Sequence, residues 1–378
     1  MVAVTYFAVA ALALGAPVSA HRRGACKPAT SDSAPSPANF LSTSSLLTET
    51  SKGITAAVAS APTAGQGDDA VTTTSQAVAT NTVISKDIAA VSNFKPGVTW
   101  DICIHHPIKH DSVDDFIPAE ATVWNIDLAH AHKFPNMIPM LKKAGKFVIC
   151  YFNAGARQIF DDDKDLFPTE VIGKSLSYPY EDEEAYVDIR DDRVLDILKA
   201  RLDSAVEVGC DAVDPDNVDA WAQDDNDPTG FSLKSSDYVT YLKNLAAYAH
   251  SVKTQEGQPL LVGQKNAPEI AEDLVSTLDF AVLEQCRGSS DSSEESYAFC
   301  SDFQTYIHAG KPVLQIEYPP SVSESDGTLS SSDESFYCNS EEDDKGFSKI
   351  LKWASAQLDG WGQYCGGTSF RTAEAEYE

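Results

Sequence analysis

The stretch Ala212-Val-Asp-Pro-Asp-Asn-Val-Asp219 decides how this chain reads. A short apolar run, Ala212-Val213, leads into three carboxylates (Asp214, Asp216, Asp219) and one carboxamide, Asn217. An apolar strand ending in clustered acids is the pattern of the catalytic rim of an α/β barrel. A second stretch of the same form lies downstream, where Phe280-Ala-Val-Leu283 runs into Glu284-Gln285-Cys286. Two carboxylates, each at the end of its own strand, are the minimum for hydrolysing a glycosidic bond. The plain alternative, turns and helix caps, serves Asp214 and Asp219 well. It serves Glu284 poorly, because an apolar strand rarely ends in an acid that has no task.

Outward from these two stretches, apolar runs alternate with amphipathic ones. Strands are expected at Val98–Ile104, Thr122–Ile126, Phe147–Phe152, Ala212–Asp216, Leu260–Gly263, Phe280–Leu283 and Pro312–Ile316, with a short closing strand at Gly360–Tyr364. Helical periodicity appears over Pro135–Ala144, Arg193–Val208, Ser236–Val252, Phe299–Ala309 and Phe347–Leu358, and Pro268 opens another helix. Repeated strand-then-helix units over residues 96–368 fit a (β/α)8 TIM barrel. A doubly wound open sheet would carry a Gly-rich phosphate loop after its first strand, and none is present. In a barrel, Asp127, Asn153, Asp216, Lys265, Asn266, Glu284 and Glu317 would all fall at strand ends and converge on one mouth.

The flanks read differently. Residues 1–20 form a signal peptide, with an apolar core at Thr5–Leu14 and the small-residue cleavage site Val18-Ser-Ala20. An uncleaved signal-anchor is the alternative. Residues 21–95 are a linker, and from Lys27 to Ser92 Ser, Thr, Ala and Pro dominate without any sustained period. Such a segment cannot bury enough apolar surface to offset its ordering entropy, so a disordered stalk is expected. Residues 369–378 read as a flexible tail.

A net charge of −29 argues against nucleic acid or an anionic membrane as a partner and suits a cationic ligand. Eight cysteines behind a secretory leader favour disulfides. Cys286–Cys300 brackets the loop beside Glu284, and Cys338–Cys365 would staple the end of the barrel. The pairing of Cys26, Cys103, Cys150 and Cys210 stays open. Between the two acids, Asp216 has amide donors beside it, which favour a carboxylate and suit a nucleophile. Glu284 follows an apolar strand, which suits an acid/base. Lys265 lies between them in strand order, placed to bind sugar hydroxyls, tune the nucleophile, or form a structural ion pair with Asp216.

Longer blocks carry a resemblance. They include Trp124-Asn-Ile-Asp-Leu128, Leu141–Tyr151, Asn153-Ala-Gly155, Val187-Asp-Ile-Arg190, Gly209–Asp219, Lys265-Asn266, Asp279–Cys286 and Glu317-Tyr318. In these the chain resembles glycoside hydrolase family 114, the endo-α-1,4-polygalactosaminidases, in its fungal form. The resemblance implies a (β/α)8 barrel, secretion and retaining endo-hydrolysis of α-1,4-linked galactosamine polymers; a monomer without a cofactor is expected. It places the catalytic pair on Asp216, as nucleophile, and Glu284, as acid/base. Asp127, Tyr151, Lys265, Asn266 and Glu317 match positions expected to line the sugar site, and the same blocks add Asn153, Asp188, Asn217, Asp219 and Tyr318. The partner would be a cationic or partly acetylated galactosamine polysaccharide, met outside the cell or at the wall. Asn125, Asp214, Tyr186, Gln264 and the segment Arg157–Asp163 depart from the family pattern, which bears on substrate preference more than on the pair itself.

Two other readings compete. His105-His106 and His130-Ala-His132 follow the first two strands and suggest a metal-dependent hydrolase, yet no His follows the fifth or sixth strand, and no metal is expected. A catalytically silent carbohydrate-binding barrel is the other, and the intact pair of acids speaks against it.

Overall fold

The computed structural model describes residues 94–376 apart from 178, 224–226, 292–296 and 340–341. The signal peptide, the stalk from Lys27 to Ser92 and Cys26 lie outside the described residues. The chain enters β1 (Trp100–Cys103) and β2 (Val123–Asp127), then α1 (Leu128–Lys133), α2 (Met137–Lys143) and β3 (Phe147–Asn153). An excursion follows: β4 (Ala156–Gln158), β5 (Ile172–Ser175) and β6 (Glu184–Val187) form a three-stranded antiparallel sheet of their own. The chain then resumes with α3 (Asp192–Val208), β7 (Ala212–Asp216), α4 (Ser235–Ser251) and β8 (Leu261–Lys265). It continues through α5 (Ala271–Leu274), β9 (Phe280–Glu284), α6 (Gln304–His308), β10 (Val313–Glu317), α7 (Ser331–Cys338) and β11 (Ser348–Leu351). Strands β12 (Trp361–Gln363) and β13 (Ser369–Arg371) complete the order.

Eight strands, β1-β2-β3-β7-β8-β9-β10-β11, pair in parallel in that order, which is the sheet of a (β/α)8 barrel. Alternate residues of each strand pack to opposite sides. Trp100, Ile102, Phe147, Ile149, Ala212, Phe280, Val282, Leu314, Ile316 and Ile350 form one buried cluster. Their neighbours Cys103, Val148, Cys150, Val213, Ala281 and Leu283 join the helix-side cluster with Leu198, Leu202, Leu242 and Leu245. Of the helices, α3 and α4 are the long ones, and each presents an apolar stripe to the sheet. Helix α3 starts at Asp191, whose side chain accepts from the Arg193 N–H, and stops at Gly209 with φ +103°, a left-handed value that favours glycine.

The seam between β11 and β1 is closed mainly by side chains. Trp100 Nε1 donates to the Ser348 carbonyl at 2.7 Å, and Lys352 Nζ donates to Asp101 Oδ1 at 2.7 Å with both side chains fully buried. Among the described residues three disulfides join Cys150 to Cys210, Cys286 to Cys300 and Cys338 to Cys365, and Cys103 is buried and in none of them.

Four expectations change. The Phe347–Leu358 helix is instead β11 and the loop after it, and β11, not Gly360–Tyr364, is the eighth parallel strand. Phe347, Ile350 and Leu351 satisfy a helical period, but so short a run cannot distinguish a helix from a strand. The segment expected to close the barrel is β12, which is antiparallel to β11 and β13. The tail is not loose through residue 376. Strand β13 pairs with β12, Thr372 is buried, and the Ala375 N–H donates to the Pro107 carbonyl at 2.7 Å. The domain also begins before residue 96, because the Phe94 ring stacks on Phe147 at 4.4 Å and meets Phe280 edge-on at 5.2 Å.

Breaking a buried pair by removing one partner strands the other charge, at a cost of about 3–5 kcal/mol. Lys352→Met should therefore lower the unfolding free energy in urea by about that amount. Replacing Asp101 with Leu in the same variant should recover much of the loss. Equal instability of the single and double variants would show that the pair does not hold the seam.

Candidate active site

The strand pleat selects which polar residues meet. On β7, Ala212 faces the barrel interior, so Asp214 and Asp216 do too; on β9, Phe280 and Val282 do, so Glu284 follows. The same alternation brings Asp127 on β2, Tyr151 and Asn153 on β3, and Lys265 on β8 to that side. Lys265 is 2% exposed, and its ammonium lies 3.4 Å from Asp216 Oδ1 and 3.8 Å from Glu284 Oε1. These two oxygens can therefore be no farther apart than the sum of those distances. Such a spacing admits the roughly 5–5.5 Å carboxyl separation of retaining enzymes as well as the roughly 6.5–9.5 Å range of inverting ones.

Each acid has its own tyrosine. Tyr151 Oη donates to Asp216 Oδ2 at 2.8 Å, and Tyr318 Oη donates to Glu284 Oε1 at 3.1 Å. Burial raises both phenols well above their ordinary range, and the neighbouring carboxylates raise them further, so both stay protonated donors. For Lys265, burial works against the ammonium, but Asp216, Glu284 and Asp214 outweigh it and hold it above the ordinary lysine range. Asp214 is fully buried beneath Asp216 and accepts from Asn125 Nδ2 at 2.8 Å. Burial lifts its carboxyl to about 6, against the pull of Lys265. Burial likewise lifts Asp219 to about 7, aided by the charge of Asp216, and lifts Asp127 to about 7. The side chains of Asp216 and Glu284 are 23% and 30% exposed, so burial does not separate the two roles.

Sharp turns follow Asp216, Lys265 and Glu284. Asn217, Asn266 and Gln285, directly after Asp216, Lys265 and Glu284, all have positive φ, at 59°, 41° and 52°. Left-handed backbone at a non-glycine residue costs roughly 1–3 kcal/mol and persists only where contacts enforce it. Here they do. The Asp216 carbonyl accepts the Ala154 and Gly155 N–H groups at 2.9 and 3.0 Å. A Cβ on Gly155 would stand 1.6 Å from the Asn217 carbonyl oxygen, so only glycine fits. Asn266 Oδ1 accepts the Glu284 N–H at 2.9 Å, and Gln264, on the opposite side of β8, donates to the Asn266 and Ala267 carbonyls.

One expected sugar-site residue, Glu317, faces away from the mouth, and another, Asp188, is engaged by an arginine. Glu317 falls on the other side of β10 from Ile316 and is fully buried. It accepts from Gln315 Nε2 at 2.8 Å and the Arg287 N–H at 3.1 Å, next to the Cys286–Cys300 bridge. A strand-end position alone does not say which way a side chain points. Asp188 is held by Arg190 through two contacts of 2.8 Å, and Arg190 also reaches the Phe231 carbonyl.

Two residues were not legible as site residues. Glu184, on β6, accepts from Asn153 Nδ2 at 2.8 Å and Gln158 Nε2 at 3.0 Å. Tyr180, half exposed, lies within electrostatic reach of Glu284, Glu184 and Asp216. Both come from the excursion, and Glu184 belongs to the acid run Glu181–Glu184, which in the sequence suggests electrostatic attraction of a cationic polymer rather than a single placed side chain. Of the histidines, His105 and His106 are in edge-on contact at 4.3 Å, whereas His132 bonds Ser204 and His250 bonds Asp279.

The model of glycoside-hydrolase family GH114 matches residues 81–370. The chain belongs to this family. A crystal structure of Aspergillus fumigatus Ega3 in complex with galactosamine is 30% identical, covers 72% of this chain and 96% of its own, and superposes with a TM-score of 0.58. The glycoside hydrolase domain of PelA from Pseudomonas aeruginosa is 12% identical, over 70% of this chain and 97% of that domain, with a TM-score of 0.48. No curated protein sequence matches the chain. Membership of GH114 makes the protein a glycoside hydrolase, and the paired acids at the barrel mouth are the groups such chemistry requires.

The buried acids set a pH dependence of stability. Carboxyls raised to about 6 or 7 (Asp127, Asp214, Asp219) bind protons more tightly in the native state, so their burial costs little below the unfolded value of about 4. The cost grows as pH rises through the native values. Asp191, held at about 2 by Arg193, and Asp344, which burial would raise but Lys349 and Arg287 hold low, act in the opposite sense and lose their contribution in acid. The melting temperature should peak at mildly acidic pH, fall between about pH 5 and 8, and also fall below about pH 4. A melting temperature that rises steadily to pH 8 would contradict these assignments.

Proposed function

We propose that this protein is a secreted, retaining endo-glycosidase that hydrolyses α-1,4-linked galactosamine polymers, with Asp216 as nucleophile and Glu284 as acid/base. The observation that carries this reading is the contact of one buried ammonium with both carboxylates across adjacent strand ends. Asp216, held by Tyr151 and Lys265, attacks the anomeric carbon. Glu284, steadied by Tyr318 at Oε1, protonates the leaving oxygen through Oε2. As Asp216 becomes an ester its charge disappears, and Lys265 is left facing Glu284, which stabilises the carboxylate that then activates water.

The substrate class is supported by the galactosamine bound to the Aspergillus relative and by charge. A partly or fully deacetylated galactosamine polymer is cationic, and this chain carries a net −29. Asp127, Asn153, Asn217, Asp219 and Asn266 line or brace the same mouth, and the exposed ring of Tyr180 offers a face on which a sugar can stack. Secretion is supported by three disulfides, and no helix among the described residues is long and apolar enough to cross a membrane.

Asp216→Asn and Glu284→Gln should each lower cleavage of the polymer by at least about 10²–10⁴-fold while leaving the fold intact. They should differ on a substrate with an activated leaving group. Glu284→Gln should still form the glycosyl-enzyme and regain turnover with azide, giving a product of retained configuration. Asp216→Asn should form none. Azide rescue of Asp216→Ala with inverted product would support the nucleophile assignment, and the same behaviour from Glu284→Ala would reverse the roles. Full activity in both would move the site elsewhere.

A further inference from the structure

Two buried acceptors beneath the mouth lack a donor. Asn125 on β2 and Asp214 on β7 follow Val123 and Ala212 to the interior side of the barrel, and both are fully buried. Asn125 Nδ2 donates to Asp214 Oδ2 at 2.8 Å. The other oxygen of each side chain, Asn125 Oδ1 and Asp214 Oδ1, is buried without a hydrogen-bond partner among the described residues. Buried polar atoms are rarely left in that state, because they have lost water and gained nothing. A proton on Asp214 Oδ1 removes both faults at once. The acid O–H then donates to Asn125 Oδ1 while the amide N–H continues to donate to Asp214 Oδ2, which closes a cyclic pair between one acid and one amide. The same pattern recurs on β10, where Gln315 Nε2 donates to Glu317 Oε1 at 2.8 Å and the remaining oxygens, Gln315 Oε1 and Glu317 Oε2, are again buried without partners among the described residues.

The surroundings of Asp214 favour that proton. Burial lifts its carboxyl to about 6; Lys265 of β8 opposes the rise, and the charges of Asp216 on the same strand and Glu284 of β9 add to it. Tyr151, its register partner on β3, turns its hydroxyl to Asp216 instead. A hydrogen bond donated by the neutral acid holds the proton more tightly still. The reaction, moreover, has no use for a third anion. Before attack the anion is Asp216, and after proton transfer it is Glu284, so the one ammonium that touches both faces one carboxylate charge at each stage.

We propose that Asp214 carries a proton in the working enzyme at mildly acidic pH, donated to Asn125 Oδ1, and that this neutral acid–amide pair reserves the Lys265 charge for Asp216 and Glu284. The inference rests on the reading of Asp216 and Glu284 as the hydrolytic pair. An ionised Asp214 would be a second anion competing for one ammonium, and would draw it from the rim toward the floor of the mouth. Asp214 and Asn125 are therefore positioning residues that act through Lys265.

The test follows urea unfolding and kcat/KM against pH for wild type, for Asp214→Asn, and for the exchanged pair in which Asn125→Asp is combined with Asp214→Asn. An acid that is neutral in the native state costs nothing below its unfolded value of about 4, and its cost grows as pH rises through the native value. The unfolding constant of wild type relative to Asp214→Asn should therefore rise roughly 10²-fold between about pH 4 and 8. An anion held by Lys265 would titrate below its unfolded value in the native state, and the ratio would then fall over the same range. A falling or flat ratio overturns the proposal. The acidic limb of kcat/KM on a deacetylated α-1,4-linked galactosamine oligomer reports ionisation of the nucleophile. Asp214 is already neutral there, so Asp214→Asn should leave that limb in place to within about half a pH unit, whereas a shift to lower pH by about one unit or more would reveal a neighbouring anion and overturn the proposal. The exchanged pair keeps one acid and one amide, so its unfolding should follow pH as wild type does. If Asp214→Asn does not fold, the exchanged pair decides: a wild-type dependence supports the neutral pair, and failure to fold or a reversed dependence overturns it. A wild type that cleaves no galactosamine oligomer overturns the hydrolytic reading, while the unfolding measurements still judge the proton on Asp214.

Discussion

Lys265 is the point on which the mouth of the barrel depends. An ammonium buried without partners would lose its proton, and a carboxylate as buried as Asp214 holds its proton more tightly. Placed among Asp216, Glu284 and Asp214, the Lys265 charge makes the cluster tolerable, and the carboxylates in turn keep the ammonium charged. The two acids that flank it are thereby held near one ammonium. The arrangement also explains why neither acid needs deep burial to be distinct. Their surroundings differ in the tyrosine each accepts from and in the strand each ends.

The barrel supplies the geometry that makes this cluster possible. Parallel strands in register bring residues from β3, β7, β8 and β9 to one level, and the pleat sends every second side chain to the interior. Left-handed residues directly after Asp216, Lys265 and Glu284 end the strands abruptly, so these three side chains stand at the rim and the chain leaves at once for the helices. Hydrogen bonds to the Asp216 carbonyl and the Glu284 N–H hold these turns. The antiparallel excursion β4–β6 then rises beside β3 and adds Glu184 and Tyr180 to the scaffold. The repeated frame thus carries Asp216, Lys265 and Glu284, and the inserted sheet carries Glu184.

Much of this was legible in the sequence where local pattern and tertiary role agree. The strands ending at Asp216, Lys265 and Glu284 are apolar, short and bounded by polar turns, and the structure has them within a residue or two. Helices α3 and α4 carry a long enough stripe to be read directly. What escaped notice depends on contacts far apart in sequence. Glu184 becomes a site residue only because β6 pairs with β4 and because Asn153 lies next to Asp216. Glu317 looked equivalent to Glu284, yet its side chain falls on the opposite face of its strand, a one-residue difference in parity that a strand end does not reveal. The Cys150–Cys210 bridge joins the helix side of β3 to the residue entering β7, a proximity that exists only once the strands are neighbours. Strand β11 was hidden because four residues suit either period.

The central claim is that Asp216 becomes covalently bonded to the sugar. The direct measurement is to trap the intermediate with a 5-fluoro glycosyl fluoride of galactosamine, digest the protein and locate the label by mass spectrometry. The account predicts a single glycosylated peptide containing Ala212–Asp219 with the sugar on Asp216, and no label in the Asp216→Asn variant. A label on Glu284 or any other residue, or turnover of the substrate with inverted configuration and no trapped adduct, would contradict it.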